Sequence, residues 1–135
     1  MIRYLADTNI LGYLARHMSK PLEQRMLRAM EKQEVAISAI TRAETRYGLS
    51  LLNPDDKRRV SINLLLQEYP ALPWTADAAD CYGDIAARLH QTGQTIGEMD
   101  TLIAAHSLAE NLILVTHNRR HFERIPGLKL EDWTV

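Results

Sequence analysis

Short apolar runs alternate along the chain with longer stretches in which apolar residues recur every three or four positions. That alternation predicts strands interleaved with amphipathic helices, hence an α/β sheet with helices on its faces. Ile2-Arg3-Tyr4-Leu5-Ala6 reads as the first strand, closed by Asp7-Thr8-Asn9, residues suited to a turn and a helix start. Ile10 to Arg16 follows as helix. Pro21 suits the first turn of a second helix, which places Leu22, Met26 and Met30 on one face. Glu34-Val35-Ala36-Ile37-Ser38 is the second strand. Ser38 or Thr41 then caps a helix with Ile40, Ala43, Tyr47 and Leu51 on its apolar side.

Asn53-Pro54-Asp55-Asp56 combines a capping residue, a first-turn proline and carboxylates for the positive end of a helix dipole. A helix is expected to open there and to run to about Tyr69, where Pro70 stops it. A short strand near Ala71 to Trp74 comes next, then a long helix from Thr75 to near Gly93. Asp100 begins, or lies in the first turn of, a helix from Thr101 to Glu110. Leu112-Ile113-Leu114-Val115 is continuously apolar, as a strand covered on both faces must be. A segment around Leu128-Lys129-Leu130 can add an edge strand. The expectation is one domain over residues 1–135: a three-layer sandwich whose four or five mostly parallel strands lie between helices.

Composition narrows the class without naming an activity. With 46% apolar and 24% charged residues, the chain falls among ordinary folded domains, and 135 residues bury a core without staples. Cys81 is the single cysteine, which excludes an internal disulfide and fits a reducing compartment. A carboxylate arrives at Asp7, too soon for an apolar targeting core, and no run approaches the roughly 18 apolar residues of a membrane span. A cytoplasmic protein with no membrane partner is therefore expected. The net charge of −1 gives no sign of a nucleic-acid binder, but twelve of the sixteen cations are arginine. Guanidinium forks match phosphate oxygens, so a local cluster could hold RNA while the total stays near neutral.

The residues that could carry chemistry sit at the ends of these elements. Asp7 closes the first strand and Asn118 follows the apolar run ending at Val115; Glu44 and Asp100 lie on helices that follow or flank the same edge. Each has an ordinary explanation by itself: a helix cap, a solvated helical glutamate, a charge on the helix dipole. In a parallel sheet, however, all four can converge beyond the carboxyl ends of the strands. Three carboxylates about 5 Å apart would repel by roughly 3 kcal/mol per pair at an effective dielectric of about 20. Such a cluster needs protons or cations. Hard oxygen ligands with no thiolate or imidazole cage point to Mg²⁺ or Mn²⁺, which serve phosphodiester hydrolysis. Glu98 could add a carboxylate, though a solvated charge is the ordinary fate of such a residue. His106, among alanines, reads as a packed core residue, His117 as a half-exposed loop residue, and Cys81 as a buried thiol.

Four segments, in order and suitably spaced, then carry a resemblance: Leu-Ala-Asp7-Thr8-Asn9, Ser38-Ala-Ile-Thr-Arg-Ala-Glu44-Thr-Arg-Tyr-Gly48, Ile96-Gly97-Glu-Met-Asp100-Thr-Leu-Ile-Ala-Ala-His106, and Val115-Thr116-His-Asn118. With the ending Arg124-Ile-Pro-Gly127-Leu-Lys-Leu-Glu-Asp-Trp133, they resemble the PIN-domain toxins of the VapC type, over essentially the whole chain. The resemblance implies a bacterial Mg²⁺- or Mn²⁺-dependent endoribonuclease, the toxin of a type II toxin–antitoxin pair. Asp7, Glu44 and Asp100 would bind metal and catalyse, with Thr8, Asn9, Thr116, Asn118 and Glu98 lining the site. Arg42, Arg46, Arg119, Arg120 and Arg124 are the candidates for holding the RNA backbone.

The same resemblance implies tRNA as substrate, with the initiator tRNA anticodon stem-loop as one expected target and 5′-phosphate and 3′-hydroxyl ends. It further implies a VapB-type antitoxin, a homodimer, and a larger complex with the antitoxin. Two positions depart from the family pattern: Asn118 stands where many PIN domains have a fourth Asp, and His121 where close toxins carry Glu. The first leaves the number of ions open. The main rival is a catalytically weak PIN-fold module that holds RNA or a partner. A phosphoryl-acceptor role for Asp7 is disfavoured, because Asn9 stands where such phosphatases want a second Asp.

Overall fold

The computed structural model describes residues 1–135. Five strands, β1 (Tyr4–Ala6), β2 (Val35–Ser38), β3 (Ala71–Leu72), β4 (Ile113–Val115) and β5 (Leu130–Glu131), form one sheet in the order β3-β2-β1-β4-β5. Every pairing is parallel, with Leu5 in register with Ala36 on one side and Leu114 on the other. The helices are α1 (Thr8–Ala15), α2 (Lys20–Glu31), α3 (Ala39–Leu51), α4 (Arg58–Glu68), α5 (Ala76–Gln91), α6 (Glu98–Ala109) and the single turn α7 (Arg119–Phe122). The expected α/β sandwich with a parallel sheet is thus the one observed.

Two apolar layers explain why the central strands read as uninterrupted hydrophobic runs. Tyr4, Ala6, Val35, Ile37 and Val115 join Ile10, Leu22, Met26 and Leu66 in one core. Leu5 and Leu114 point the other way, into a core with Leu89, Ile103, Ala104 and Phe122. Successive side chains on one strand therefore serve opposite layers, and neither can be polar. The strand order reverses between β1 and β4, the place where an α/β sheet opens a crevice beyond its carboxyl edge. The ladder continues past both strands there: Asp7 N–H donates to Val115 O at 2.9 Å and Thr116 N–H to Glu131 O at 3.0 Å.

The structure moves several of the expected boundaries. Asn53–Asp56 does not cap a helix; it forms a turn, with Asp56 N–H donating to Asn53 O at 3.0 Å. The helix opens later because Asp56 accepts from Arg58 N–H at 2.9 Å and also engages the Arg58 guanidinium, holding its own pKa down to about 2. The apolar side expected for α3 is also corrected. Ala43 is exposed, and Tyr47 and Leu51 are 68% exposed, whereas Thr41 and Leu49 face the core. That face mixes hydroxyls with leucine, which hydrophobic periodicity alone does not register. α7 was not foreseen. A four-residue turn of two arginines, a histidine and one phenylalanine carries no periodic signal.

Candidate active site

Asp7 is the hub. It is 1% exposed, immediately beyond β1, and both carboxylate oxygens are held: Oδ1 accepts from Thr8 N–H at 2.7 Å and Oδ2 from the Thr116 hydroxyl at 2.9 Å. The first contact also caps α1, so the ordinary role read from sequence is real and coexists with a place in the site. Thr116 Oγ1 in turn accepts from Asn118 N–H at 2.9 Å, tying the segment after β4 to the segment after β1.

Glu44 comes from the second turn of α3. Thr8 donates its hydroxyl proton to Glu44 Oε1 at 2.7 Å and lies 3.0 Å from Thr41 Oγ1. Since Thr8 has one proton to give, the fully buried Thr41 hydroxyl is the donor in that pair. The start of α3 is fixed by Ser38, whose hydroxyl oxygen accepts from Ile40 N–H at 3.1 Å and lies 2.8 Å from His106 Nδ1. His106 is fully buried, as its alanine surroundings predict; burial lowers its pKa, and its Nε2 has no hydrogen-bond partner.

Asp100 stands in the first turn of α6. Gly97, at φ 97°, adopts a conformation that side chains other than glycine rarely take, and so lets the helix begin at Glu98. Asp100 remains partly open to solvent, with Oδ2 3.9 Å from His121 Nδ1. Burial raises its pKa and His121 opposes that rise. Asp7 is pushed up to about 6, first by burial, then by the Asp100 charge, with a smaller push from Glu44; its hydrogen bonds to Thr116 and Thr8 oppose them. The three acids thus share one electrostatic site.

Of the other expected residues, Thr8, Thr116 and Asn118 join the cluster, whereas Asn9 and Glu98 are exposed at its margins. The arginines divide. Arg42 donates to Leu66 O at 3.2 Å and Arg46 to Asn63 Oδ1 at 2.9 Å, so both tie α3 to α4. Arg124 donates to Thr95 O at 3.1 Å, and Arg119 pairs with Glu123 at 3.6 Å. Arg120 is exposed on α7 and forms no ion pair. His121, noted in the sequence as standing where close toxins carry Glu, lies at the mouth of the site beside Asp100. Its spacing of one helical turn from Asn118 was the available signal.

No three His, Cys, Asp or Glu side chains stand close enough to cage an ion among themselves. The donors at this edge are carboxylate, hydroxyl and amide oxygens, together with one imidazole. Mg²⁺ takes one or two carboxylates and keeps several waters, so an open acidic edge fits a hydrated divalent ion and not a dry, enclosed one. The elevated pKa of Asp7 has the same sense, since burial first and then the Asp100 and Glu44 charges penalise its ionised form.

A family model described as PIN domain matches residues 4–128. The chain is 34% identical over 130 residues to ribonuclease VapC2 of Rickettsia felis, covering 96% of this chain and 97% of that protein. It is 32% identical over 134 residues to the tRNA(fMet)-specific endonuclease VapC of Shigella flexneri, covering 99% of this chain and 100% of that one. Among solved structures, the Rickettsia felis VapBC2 complex bound to a promoter DNA fragment contains a chain that superposes with a TM-score of 0.88 at 34% identity. That match covers 98% of this chain and 99% of the other.

Proposed function

This chain belongs to the PIN-domain family as a ribonuclease of the VapC type, and from that membership we propose that it is a divalent-metal-dependent endoribonuclease, the toxin of a toxin–antitoxin pair. The observation that supports the reading best is the burial of Asp7 at the β1–β4 crevice beside the charges of Asp100 and, more weakly, Glu44, which together raise it to about 6.

Asp7 and Asp100 would hold the ion, Mg²⁺ or Mn²⁺, which supplies an activated water and neutralises charge gathering on the phosphate. Glu44, held at one oxygen by Thr8, has its other oxygen free to orient the attacking water. Thr116 keeps Asp7 turned toward the cluster and Asn118 close to it. Arg120 is free to meet an RNA phosphate, while Arg42, Arg46 and Arg124 act mainly as struts. Thr8→Val is expected to leave the fold intact and lower the cleavage rate by roughly tenfold, because Glu44 loses the donor that fixes it. An unchanged rate would show that Glu44 needs no such positioning.

The Shigella flexneri relative is named for tRNA(fMet), and we extend a tRNA target, the initiator anticodon loop, to this chain. Unpaired loop bases can be read, whereas the deep groove of A-form RNA is closed to side chains. The test is cleavage of total bacterial RNA by purified protein with Mg²⁺, Mn²⁺ or EDTA, with Asp100→Asn in parallel. Discrete fragments that need both metal and Asp100, with 5′-phosphate ends mapping to one loop, are expected. Absence of cleavage by folded, partner-free protein with any ion would shift the reading to a module that only binds.

The partner follows from the same family. The Rickettsia felis structure is of a VapBC complex, and we assign this chain a VapB-type antitoxin. A groove of about 280 Å³ between α1, α3 and α4 begins at Thr8, and Leu11, Leu49 and Leu52 form its apolar floor. A segment lying there would reach Glu44. Tyr47, Leu51, Val60 and Leu64 are exposed on the nearby helices and offer further contact surface for a homodimer or its complex with the antitoxin. Co-expression with the adjacent reading frame is expected to yield a stable, inactive complex. Harmless expression of the chain alone would count against the toxin role.

A further inference from the structure

His106 is a buried ionisable side chain that the mechanism above leaves unused. It is fully enclosed on α6, and its Nδ1 lies 2.8 Å from the hydroxyl oxygen of Ser38, the residue that caps α3. Ser38 Oγ already accepts from Ile40 N–H, and its own proton has no acceptor other than His106. With Ser38 as the donor, the hydroxyl is satisfied in both senses and the neutral imidazole carries its proton on Nε2. That Nε2–H is buried and has no partner. Leaving a polar group unpaired in the interior costs free energy that an apolar side chain of similar size would not.

What the histidine supplies instead is a directional bond between two elements. Ser38 stands six positions before Glu44, and His106 six positions after Asp100. Their bond is the one side-chain hydrogen bond that joins α3 and its cap to α6. Glu44 is fixed separately, through Thr8, to the start of α1. The Asp100 carboxylate has no such tether: it stands 3.9 Å from His121, beyond a hydrogen bond, and takes its place from α6.

Resting on the reading of the acid cluster as a catalytic centre, we propose that His106 is a positioning residue, whose bond to Ser38 fixes where α6 lies along α3 and so sets Asp100 against Glu44. Apolar contacts are non-directional and allow packed helices to slide slightly, whereas a hydrogen bond of defined geometry opposes the slide. A misplacement of about 1 Å is enough to cost on the order of 10²-fold in rate.

His106→Leu and His106→Asn in the whole chain test this, melted in EDTA and in Mg²⁺ and assayed for kcat and KM on bacterial RNA. His106→Leu removes the unpaired N–H and is expected to melt no lower than the wild type in EDTA. It should nevertheless lose roughly tenfold in kcat with KM unchanged, and gain less stability from Mg²⁺. His106→Asn keeps an acceptor near the Nδ1 position but leaves space where the ring stood. It should therefore melt lower than His106→Leu and yet cleave faster. His106→Phe, close to the ring in shape, carries the leucine prediction if His106→Leu does not fold. Undiminished kcat in a folded His106→Leu or His106→Phe would overturn the proposal, as would activity that simply follows stability through the series. A wild type that cleaves no RNA with any ion would remove the functional reading, and this role with it.

Discussion

Asp7→Asn is expected to abolish RNA cleavage, by on the order of 10³-fold or more, while making the metal-free protein more stable at neutral pH. The two effects have one origin. Asp7 is almost wholly buried, beside two other acids, and its pKa rises from 3.8 to about 6. A folded-state pKa above the unfolded one means that the folded state binds protons more tightly between pH 4 and 6, so this group's contribution to stability is lost as pH rises through about 6. Near pH 7 the ionised form therefore carries a penalty of about 3 kcal/mol at 1.36 kcal/mol per pKa unit. Asparagine removes that penalty but presents an amide nitrogen to the Thr116 hydroxyl in place of an acceptor oxygen, so a net gain of about 1–2 kcal/mol is expected. His106 has the opposite slope: its lowered pKa contributes stability that is lost as pH falls below about 6.5. Thermal melts from pH 5 to 8 should thus show Asp7→Asn gaining over the wild type only toward the alkaline end. Added Mg²⁺ should stabilise the wild type alone. Retained cleavage would remove Asp7 from the site, and a uniform loss of stability would show its two hydrogen bonds outweighing its burial.

Phe122→Ala is expected to produce the largest loss of stability of any single change near the site. The ring is fully buried in the core beneath α7, and truncating a buried phenylalanine costs about 3–5 kcal/mol. Domains of this size have only about 5–15 kcal/mol in total. The damage should not stay in the core. α7 is four residues long and takes its orientation from this one side chain, so Asn118, Arg120 and His121 lose their bearings together. Urea denaturation should show a midpoint well below the wild type, and cleavage should fall further than the folded fraction does. Phe122→Leu, which keeps most of the volume, should recover both. A rate that merely tracks the folded population would show that α7 does not position the site.

How much of this was legible in the sequence depended on how each element is buried. β1, β2 and β4 lie between two apolar layers and announced themselves as unbroken runs, so the residues just past their ends, Asp7 and Thr116, could be placed at one edge. Glu44 and Asp100 were placed by helices expected to follow or flank the same edge and by the family resemblance, whereas the start of α6 at Glu98, set by Gly97, was not read. The buried face of α3 was misjudged because Thr41, packed in the core by its hydroxyl hydrogen bonds, looks polar, while the exposed Tyr47 and Leu51 look like core. The arginines were equally illegible. Whether a guanidinium meets a phosphate or a carbonyl such as Leu66 O is settled by tertiary contacts alone.

The bond between Thr116 and Asp7 joins residues 109 positions apart. On the ribosome, Asp7 emerges early and finds neither Asp100 nor Thr116, both of which lie in the last third of the chain. β4 must dock against β1, and β5 against β4, before the crevice exists. Long-range pairings of this kind form late. A translation product that stops before β4 and β5 therefore carries Asp7 without the crevice around it, and the proposed centre can assemble only after Glu131 has been made.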